Sequence, residues 1–456
     1  MDNCSALFQM IESQDFLGWE EAIQKVVNAY GCRLSESLFK KIDDCLAKSR
    51  EKDLRLVGYK EKTIVSRHGQ LNIKRRYYRE RSGKYRFLLD EALGLKKRQA
   101  MTSSVASYAA NLAAYVPFRV AEDLIFKAFG RALSHQSIHN LVGKVGEENL
   151  AREELERLKL FGFGELPQSQ DKEIEKLLLE ADGVNISLQR ENNKKAEVKV
   201  GVAYSGKESG KTKDKVIHLD LDEGESFWQG LTVKVAKVFD LTKLSKTTIG
   251  GDGASFVRIG QRLFSGAAFR LDPFHVARAL KGALGWTKTS YQATKEALAG
   301  NLSAAIAHLD RVGAETDENK RRQIKQTKRY LLANADGLGD GPSLGTIESN
   351  VDKLVANRMK KRGMAWTKAG ARRMLKLLEK RAKDDFDDIL ASKPQIKVPE
   401  ATYKTQEVFL DDPQAWLSAH VAAFDGPHSS RPWVKLLREV VRGQELRLTE
   451  FVPTRT

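Results

Sequence analysis

One stretch of this chain, residues 177–189, changes from a continuous apolar run to strict alternation of apolar and polar positions. Three leucines open it, and beyond Asp182 the apolar residues Val184, Ile186 and Leu188 alternate with polar ones. This pattern predicts a strand that lies inside a sheet and emerges at one end. Within such a strand an isolated carboxylate costs several kcal/mol unless it is paired or bound to a metal. An aspartate that caps a turn at a strand end is the alternative interpretation of Asp182.

A second apolar strand ends in a glycine-rich turn that carries Asp252. Residues 247–254 are TTIGGDGA, and helical spacing follows, with Phe256, Ile259 and Leu263 on one face. An acid at the carboxyl end of a strand, before a helix, is a common position for a metal ligand in an α/β sheet. Glycine-rich turns are common, so the informative feature is the occurrence of two such acids.

The pattern around these acids predicts one sheet. Residues 196–204 alternate and follow the first strand through a polar turn, which is typical of a hairpin, and residues 215–221 form a third strand. A helix at 227–239, the strand before Asp252, another helix and a fifth strand at 267–271 follow. This is the strand and helix order of the ribonuclease-H-like fold, which places the first and fourth strands side by side and brings the two acids together.

The N-terminal part changes from helical to strand patterning. Helical spacing over the first fifty residues predicts two helices, and residues 55–90 predict a two-stranded ribbon. Basic side chains in the ribbon lie among Tyr77, Tyr78 and Tyr85, which suits phosphate contact and base stacking. A ribbon with an ordinary solvated basic face fits the pattern equally well. The candidate DNA-binding cations here are Lys74, Arg75, Arg76 and Arg79.

Three helices are predicted after the ribbon, at residues 105–116, 118–129 and 135–145. Pro117 suits a first helical turn, and Ser134 suits an N-cap. The last two helices, joined through Gly130, resemble a helix-turn-helix, although any helical hairpin produces this pattern. Residues 146–172 are charged and predict a linker into the sheet.

The second half is mostly helical. Residues 276–342 predict a helical insertion, preceded by Asp272 and His275, which either stand beside a metal or cap the next helix. A helix at 346–366 has an apolar stripe, with Glu348 at its edge. An acid at the rim of a packing face, on a helix rich in cations, fits a metal ligand whose neighbours hold phosphates. An ordinary first-turn acidic residue is the alternative. The candidate phosphate-binding cations are Lys353, Lys360, Lys361 and Arg362.

Composition indicates the class of partner. The chain has 456 residues, a net charge of +17 and a pI near 9.5. For a soluble chain this charge favours nucleic acid or another anionic surface, with a solvated basic surface as the alternative. The length predicts about three domains of ~150 residues, and the hydrophobic fraction of 41% supports real cores.

Cysteine usage and hydropathy indicate a location. Cys4, Cys32 and Cys45 form no CxxC pair, and no Cys/His set has zinc spacing, which argues against a zinc finger. A sparse, odd count suits a reducing cytoplasm. No apolar run reaches the ~18 residues needed to span a membrane, and residues 1–19 lack the pattern of a signal peptide. We therefore expect a cytoplasmic, nucleoid-associated protein with no membrane partner.

Several motifs resemble bacterial insertion-sequence transposases of the ISLre type, over about residues 55–440. The most specific is the block from Glu348 to Met374, within GTIESNV…RMKKRGMAWTKAGARRM. The others are EADG at 180–183, GDGA at 251–254, LDPFH at 271–275, LLDEALGL at 88–95, the stretch 118–137 and GPHSSRPWVKLL at 426–437. The first fifty residues match this family less clearly.

The resemblance implies an Asp-Asp-Glu transposase, with Asp182, Asp252 and Glu348 as catalytic residues and metal ligands. Three carboxylates would hold two Mg2+ ions about 3.5–4 Å apart, with Mn2+ as a substitute, because these ions prefer hard oxygen ligands. Water and later a 3′-hydroxyl would attack the phosphodiester in line, without a covalent protein–DNA intermediate. The implied partner is DNA, as terminal inverted repeats and target, bound by a homo-oligomer. A ribonuclease-H-like nuclease without strand transfer and an inactive DNA-binding relic are the alternatives.

The expected fold class is α/β, with a ribonuclease-H-like catalytic core that contains a helical insertion. A mainly helical DNA-binding region with a small β-ribbon precedes the core. The predicted segments are a helical lead-in (1–54), the ribbon and helix-turn-helix-like region (55–150), the first part of the core (173–275), the insertion (276–342), the helix with the third acid and a basic helix (343–385), and a C-terminal tail region (386–456).

Overall fold

The computed structural model describes residues 16–130, 133–169, 172–222, 224–264, 266–342, 344–387, 389–390 and 395–398. The predicted motif at 426–437 and most of the tail region lie outside these residues. The chain forms two compact units. The first contains the described residues up to Ala109, Arg119–Ser134 and the described residues from Asp387 onward, and the second contains Ala110–Phe118 and His135–Phe386.

The first unit begins with a long helix and a three-stranded antiparallel sheet. Helix α1 (Phe16–Ser49) precedes strands β1 (Arg55–Ser66), β2 (Gly69–Arg79) and β3 (Tyr85–Arg86), and helix α2 (Leu88–Ala92) follows. The β1–β2 hairpin confirms the predicted ribbon, which turns at Gly69 with φ +125°. The hydrophobic core of this unit joins α1, the ribbon and α2, and it includes Leu46, Ile64, Leu71, Ile73 and Leu89.

Of the two predicted N-terminal helices, the first, around Leu7 to Ile11, lies outside the described residues, and the second lies within one continuous helix of 34 residues, Phe16–Ser49. This stretch contains no proline, and glycine inside a helix costs only about 1 kcal/mol relative to alanine. Gly31 is therefore tolerated within the helix.

Three longer helices follow: α3 (Ser103–Tyr115), α4 (Phe118–Phe129) and α5 (His135–Arg157). The first two confirm the predicted helices, but α5 continues twelve residues further and leads into a π-helical turn at Leu158–Gly162. The predicted linker at 146–172 is therefore wrong over most of its length. From Arg119 onward α4 belongs to the first unit, whereas α5 belongs to the second, so the helix-turn-helix-like pair and the predicted region 55–150 are divided between units.

The second unit is built on a mixed sheet. Its strands are β5 (Lys176–Leu188), β6 (Lys195–Tyr204), β9 (Val216–Asp220), β11 (Lys246–Gly251), β12 (Ala268–Leu271) and β13 (Ala365–Trp366). Smaller pairs are β4 (Lys172–Glu173) with β10 (Phe239–Asp240), and β7 (Gly206–Glu208) with β8 (Lys211–Lys213).

The strand order of the mixed sheet is β12-β11-β5-β6-β9. Neighbouring strands β5, β6 and β9 are antiparallel, whereas β11 is parallel to both β5 and β12. The short strand β13 also pairs with β5, in parallel, through Trp366 and Leu188. Strand β5 therefore lies in the middle of the sheet, as its apolar run predicts.

Helices pack on this sheet and share its hydrophobic core. Leu179 and Ile249 of the central strands belong to the same buried cluster as Leu280, Leu309 and Leu331 of the predicted insertion. The helices are α6 (Gly224–Val238), α7 (Ser255–Leu263), α8 (Pro273–Leu284), α9 (Lys288–Leu298), α10 (Leu302–Ala314) and α11 (Glu318–Ala333), followed by a 3-10 turn at Ala335–Gly337. The predicted insertion at 276–342 is thus mostly helical as far as residue 337, as predicted, and it extends the core of the sheet.

The helix predicted at 346–366 has three parts: α12 (Ile347–Asn350), a π-helix (Val351–Lys360) and strand β13. The prediction of one continuous helix is wrong here, since Gly363 adopts a positive φ of 63° and Trp366 pairs with the sheet. The predicted apolar stripe is nevertheless buried. Helix α13 (Lys368–Lys383) follows, and its Thr367 N-cap accepts a hydrogen bond from the Gly370 N–H.

Helix α13 also covers the outer edge of β9. Glu379 accepts a hydrogen bond from the Leu219 N–H at 2.6 Å, and Lys376 Nζ donates to the Leu219 carbonyl at 2.9 Å. Both side chains are buried. The helix therefore contributes buried charges to the sheet, in addition to its apolar face.

Candidate functional site

Two parallel strands place Asp182 and Asp252 next to each other. Strand β11 pairs with β5 in a register that sets Gly251 opposite Ala181, so the next residue on each strand is one of the two acids. This pairing confirms the predicted adjacency of the first and fourth strands. Asp182 lies inside β5 and is only 7% exposed.

Local hydrogen bonds fix the orientation of both carboxylates. The Gly183 N–H donates to Asp182 Oδ1 at 2.7 Å, and the Ala254 N–H donates to Asp252 Oδ1 at 2.8 Å. Gly253, in the turn after Asp252, has φ +84°, and a Cβ at this position would overlap the Asn334 side chain. Only glycine fits at position 253, which accounts for the second glycine of the GDG sequence.

The end of a third strand adds His275 to the pair. Asp272 follows β12, is buried, and caps α8 by accepting a hydrogen bond from the Phe274 N–H at 2.9 Å. One turn into the helix, His275 Nδ1 lies 3.6 Å from Asp272 Oδ2. One ligand atom from each of Asp182, Asp252 and His275 lies within 4.8 Å of the others. Asp272 therefore caps the helix, as one interpretation of this motif predicts, and His275 lies beside the two acids.

The protonation equilibria of these groups are coupled. Burial raises the pKa of Asp182 to about 6, and the charges of Asp252 and Glu348 act in the same direction, against the Gly183 hydrogen bond and His275. Burial alone would lower the pKa of His275, but the nearby carboxylates of Asp272, Asp182 and Asp252 outweigh it and raise this pKa. Concentrated negative charge thus stabilises a cation at this point.

Glu348 lines the same cleft but is not one of the three residues whose ligand atoms lie within 4.8 Å of one another, and a buried acid holds the loop before its helix. Glu180, on β5 two residues before Asp182, accepts hydrogen bonds from the N–H groups of Gly345, Thr346 and Ile347 at 2.9–3.2 Å. It also accepts from the Thr346 hydroxyl at 2.7 Å and from the Tyr204 hydroxyl at 2.6 Å. The carboxylate thereby ties the loop before Glu348 to the strand that carries Asp182.

The three predicted acids line one open cleft of about 790 Å3. Asp352, Arg278, Lys360 and Lys361 line the same cleft, and Lys361 pairs with Asp352 at 2.5 Å. Four acidic and three basic side chains thus face a common space. This arrangement suits an anionic polymer that must approach a divalent cation.

The donor atoms around the acids fit a hard divalent ion. The buried atoms Asp272 Oδ2, His275 Nδ1 and Tyr330 Oη have no hydrogen-bond partner in the described part of the chain. Burial, together with Asp252 and Asp272, raises the pKa of Tyr330 and keeps it protonated. Carboxylate oxygens suit Mg2+ or Mn2+, so Asp182, Asp252 and Glu348 are the residues that would hold such an ion.

A second cluster, formed by Glu153, His218 and Glu379, is a poorer metal site, although its ligand atoms also lie within 4.8 Å of one another. Lys234 Nζ lies 2.5 Å from Glu379 and 2.7 Å from Glu153, and Lys376 Nζ lies 2.7 Å from Glu153. Two ammonium groups thus already neutralise these carboxylates. The cluster is a buried ion-pair network that joins α5, α6 and α13 to strand β9.

The predicted cations differ in their surroundings. Lys360 and Lys361 line the acidic cleft, whereas Lys353 and Arg362 line a neighbouring pocket, which Lys361 also lines.

In the first unit, Arg75 pairs with Asp90 at 2.5 Å, and Arg76 pairs with Asp43 and Asp44 at 2.8 and 2.7 Å. Lys74 lies over the Tyr59 ring and Arg79 over the Tyr85 ring. Neither Lys74 nor Arg79 has a carboxylate partner among the described residues. Arg75 and Arg76 are therefore structural cations, which leaves Lys74 and Arg79 as the stronger candidates for phosphate contact.

Sequence reasoning missed Glu180, Arg278 and Tyr330 as parts of the site. Glu180 could have been found, since it lies two residues from Asp182 and therefore on the same side of the strand. Tyr330 lies in a region where only helical spacing was visible, so its approach to the acids depends on how the insertion packs.

The model of an uncharacterised protein family, UPF0236, matches residues 12–385. A UPF0236 protein of Streptococcus gallolyticus, named from the vanSb 3′ region, is 27% identical over 329 residues, which is 68% of this chain and 70% of the relative. A UPF0236 protein of Caldanaerobacter subterraneus subsp. tengcongensis is 22% identical over 372 residues, 78% of this chain and 75% of the relative. The name of that relative joins eleven locus tags. Among the described residues, every helix is too short or too polar to cross a membrane.

Proposed function

The chain belongs to the uncharacterised protein family UPF0236, and we propose that it is a DNA transposase of the Asp-Asp-Glu class, from an insertion sequence of the ISLre type. The observation that carries the proposal is the meeting of Asp182 and Asp252 on two paired strands, with Glu348 lining the same cation-bordered cleft. The proposed activity is cutting and joining of DNA at the element ends.

The sheet supports a ribonuclease-H-like core as part of this proposal. Three antiparallel strands in sequence order, β5, β6 and β9, are extended on the β5 side by two parallel strands, β11 and β12. This is the strand arrangement expected from the sequence for that fold. Fold alone does not define function, so the argument depends on the acids.

The relatives add an independent line of support. One UPF0236 protein name of Caldanaerobacter subterraneus subsp. tengcongensis joins eleven locus tags, and another joins four. Proteins encoded at many loci of one genome are expected of a mobile element that copies or moves its own gene. A housekeeping nuclease would not be expected to show this multiplicity.

The residues of the cleft have separate roles in the proposed chemistry. Asp182, Asp252 and Glu348 would hold Mg2+ or Mn2+, which polarises the phosphodiester and activates the attacking hydroxyl when bound. Lys360 and Arg278 would hold the phosphates of the strand beside these acids. Glu180 acts at a distance, by holding the start of the helix that carries Glu348.

The decisive experiment compares two acids close together along the chain, Glu348→Gln and Asp352→Asn. Both variants remove one negative charge from the same cleft. We expect Glu348→Gln to lose Mg2+-dependent cleavage of labelled element ends while it still binds them. Asp352→Asn should keep much of its activity, because Asp352 already pairs with Lys361.

The opposite pattern would move the third ligand to Asp352, and full activity of both variants would remove this helix from the site. The same assay scores joined products. Cleavage without joining would support a ribonuclease-H-like nuclease, and DNA binding without cleavage by the unaltered protein would support an inactive relic.

A further inference from the structure

Beside the acidic cleft, the second unit contains a pocket of about 480 Å3 in which positive charge is concentrated. Five of its lining side chains are cationic, and none of its lining residues is an acid. A set of like charges in one concave site is destabilising unless an anion offsets it. The lining side chains used below are those of Tyr115, Lys353, Asn357, Arg358, Arg362 and Arg381.

Arg358 is the least expected of these residues because its side chain is buried, with 1% of the residue exposed. Its Nε donates to the Ala113 carbonyl at 2.8 Å, and Nη1 approaches the Met364 sulfur at 3.0 Å. Among the described residues no carboxylate lies within ion-pair distance of it, and its Nη2 makes no hydrogen bond. A buried charge is normally paired, whereas in the described part of the chain this guanidinium has only ring contacts besides these bonds, 5.5 Å from the centre of the Phe118 ring and 5.2 Å from that of Trp366.

Neighbouring cations increase this imbalance. Burial, together with Arg362 and Arg381, lowers the pKa of Arg358 to about 10. Lys353 and Arg362 are exposed, and in the described residues neither has a carboxylate partner. The pocket thus combines one buried cation with cations that are accessible from solvent.

Arg381 and Tyr115 give the pocket a fixed aromatic rim. The Arg381 guanidinium donates to the carbonyls of Ala114, Lys353 and Leu354 at 2.7–3.0 Å. It also lies 4.9 Å from the centre of the Tyr115 ring, which is 53% exposed. Sites for single-stranded nucleic acid commonly combine exposed aromatic rings, on which bases stack, with cations that contact the phosphates of the nucleic acid.

The pocket and the acidic cleft share the π-helix at Val351–Lys360. Asp352 and Lys360 face the cleft, whereas Lys353 and Asn357 face the pocket. Lys361 lines both spaces. An anionic chain in the cleft would therefore lead directly to the pocket.

We propose that this pocket binds a backbone phosphate of an unpaired nucleic acid strand, with Tyr115 stacking on a neighbouring base. The proposed function supplies the strand in the cleft, and the inference deepens that function by adding a binding site for unpaired nucleotides next to the acids. Arg358 provides the buried charge, Lys353 and Arg362 provide the accessible charges, and Arg381 holds the Tyr115 ring.

The test measures binding of the full-length protein to fluorescein-labelled single-stranded oligonucleotides in EDTA, so that cleavage plays no part. The double variant Lys353→Ala, Arg362→Ala should weaken binding about tenfold or more. It should also reduce the slope of log affinity against log salt by about 0.7 for each phosphate that the variant no longer neutralises. The matched control is Lys295→Ala, Arg311→Ala, which removes one lysine and one arginine from exposed positions outside both spaces. This control should leave the salt slope unchanged.

Variants of Tyr115 distinguish a bound nucleic acid strand from a bound small anion. Tyr115→Ala should weaken single-strand binding about tenfold and duplex binding much less, while Tyr115→Phe restores it. If inorganic tripolyphosphate competes as strongly for the Tyr115→Ala protein as for the unaltered protein, and strand binding is also unchanged, the pocket takes a small anion and the proposal fails.

Folding is checked with the charge-preserving variant Lys353→Arg, Arg362→Lys, which should keep the salt slope. An unchanged slope in the folded alanine variant would overturn the proposal. Because these measurements need no divalent ion, their failure is distinct from a failure of the acids in cleavage. A protein that cleaves element ends, but whose strand binding does not depend on Lys353, Arg362 or Tyr115, would refute the pocket alone.

Discussion

Replacing Asp182 by asparagine should stabilise the metal-free protein at neutral pH while it abolishes cleavage. Burial raises the pKa of this carboxyl from 3.8 to about 6. A shift of this size, at 1.36 kcal/mol per pKa unit, corresponds to about 3 kcal/mol of destabilisation when the group is ionised. Asparagine removes the charge and keeps an oxygen that can accept the Gly183 N–H.

The sign of this effect follows from the direction of the shift. A raised carboxyl pKa means that the folded state binds the proton more tightly than the unfolded state. The cost is absent below the unfolded-state pKa of 3.8, grows as the pH rises towards about 6, and is constant above that value. The stability difference between Asp182→Asn and the unaltered protein should therefore be large at about pH 7.5 and vanish near pH 3.5.

Thermal unfolding in EDTA measures this difference. For a unit of this size, about 3 kcal/mol corresponds to roughly 5–10 °C in Tm. Adding Mg2+ at about 100 times its dissociation constant should stabilise the unaltered protein by about 2.7 kcal/mol and the variant by much less. The control Asp352→Asn, at a half-exposed and already paired acid, should change stability by about 0.5 kcal/mol or less.

A lower Tm for Asp182→Asn in EDTA at neutral pH would refute the reasoning, because it would mean that the ionised carboxylate stabilises the fold. A difference that does not change with pH would also refute it, since the effect would then arise from packing. Equal stabilisation of both proteins by Mg2+ would remove Asp182 from the ion site.

Two further predictions concern positions away from the reacting centre. Glu180→Gln should destabilise the second unit by about 2–4 kcal/mol and reduce cleavage, because an amide nitrogen would face N–H donors. Chemical denaturation measures the stability and the cleavage assay measures the activity. Unchanged cleavage would show that Glu180 does not position the third acid. In the ribbon, the double variant Lys74→Ala, Arg79→Ala should weaken DNA binding at every salt concentration with little change in Tm, whereas Arg75→Ala should lower Tm by leaving Asp90 underpaired. If Arg75→Ala instead weakened DNA binding and the double variant instead lowered Tm, Arg75 would be the residue that contacts phosphate.

Apolar periodicity was enough to predict the central sheet and its two acids. Leu177, Leu179 and Ile249 mark strands that are buried because helices pack on the sheet, and the acids stand out against that apolar background. The adjacency of the strands was predicted by matching the order of elements to that of the ribonuclease-H-like fold. The pattern of residues 346–366 likewise predicted the buried face around Glu348.

The segment 146–172 could not be predicted in this way, because its packing is electrostatic. Glu153 and Glu156 fasten α5 to lysines of α6 and α13, and hydropathy identifies these residues only as charged. For the same reason, hydropathy could not show that Arg75 and Arg76 form internal ion pairs. Their partner acids lie on distant elements, so a basic run of the sequence became a set of internal ion pairs.

The covered edge of strand β9 affects how copies of this protein behave when they lie close together. A protein that acts as proposed would collect several copies on one short length of DNA, where sheet edges meet at high local concentration. Exposed edges recruit other chains by strand addition and seed fibrils. Because Lys376 and Glu379 already bind the outward amide and carbonyl of Leu219, this edge cannot template a neighbour at that residue, which favours assemblies that can come apart again.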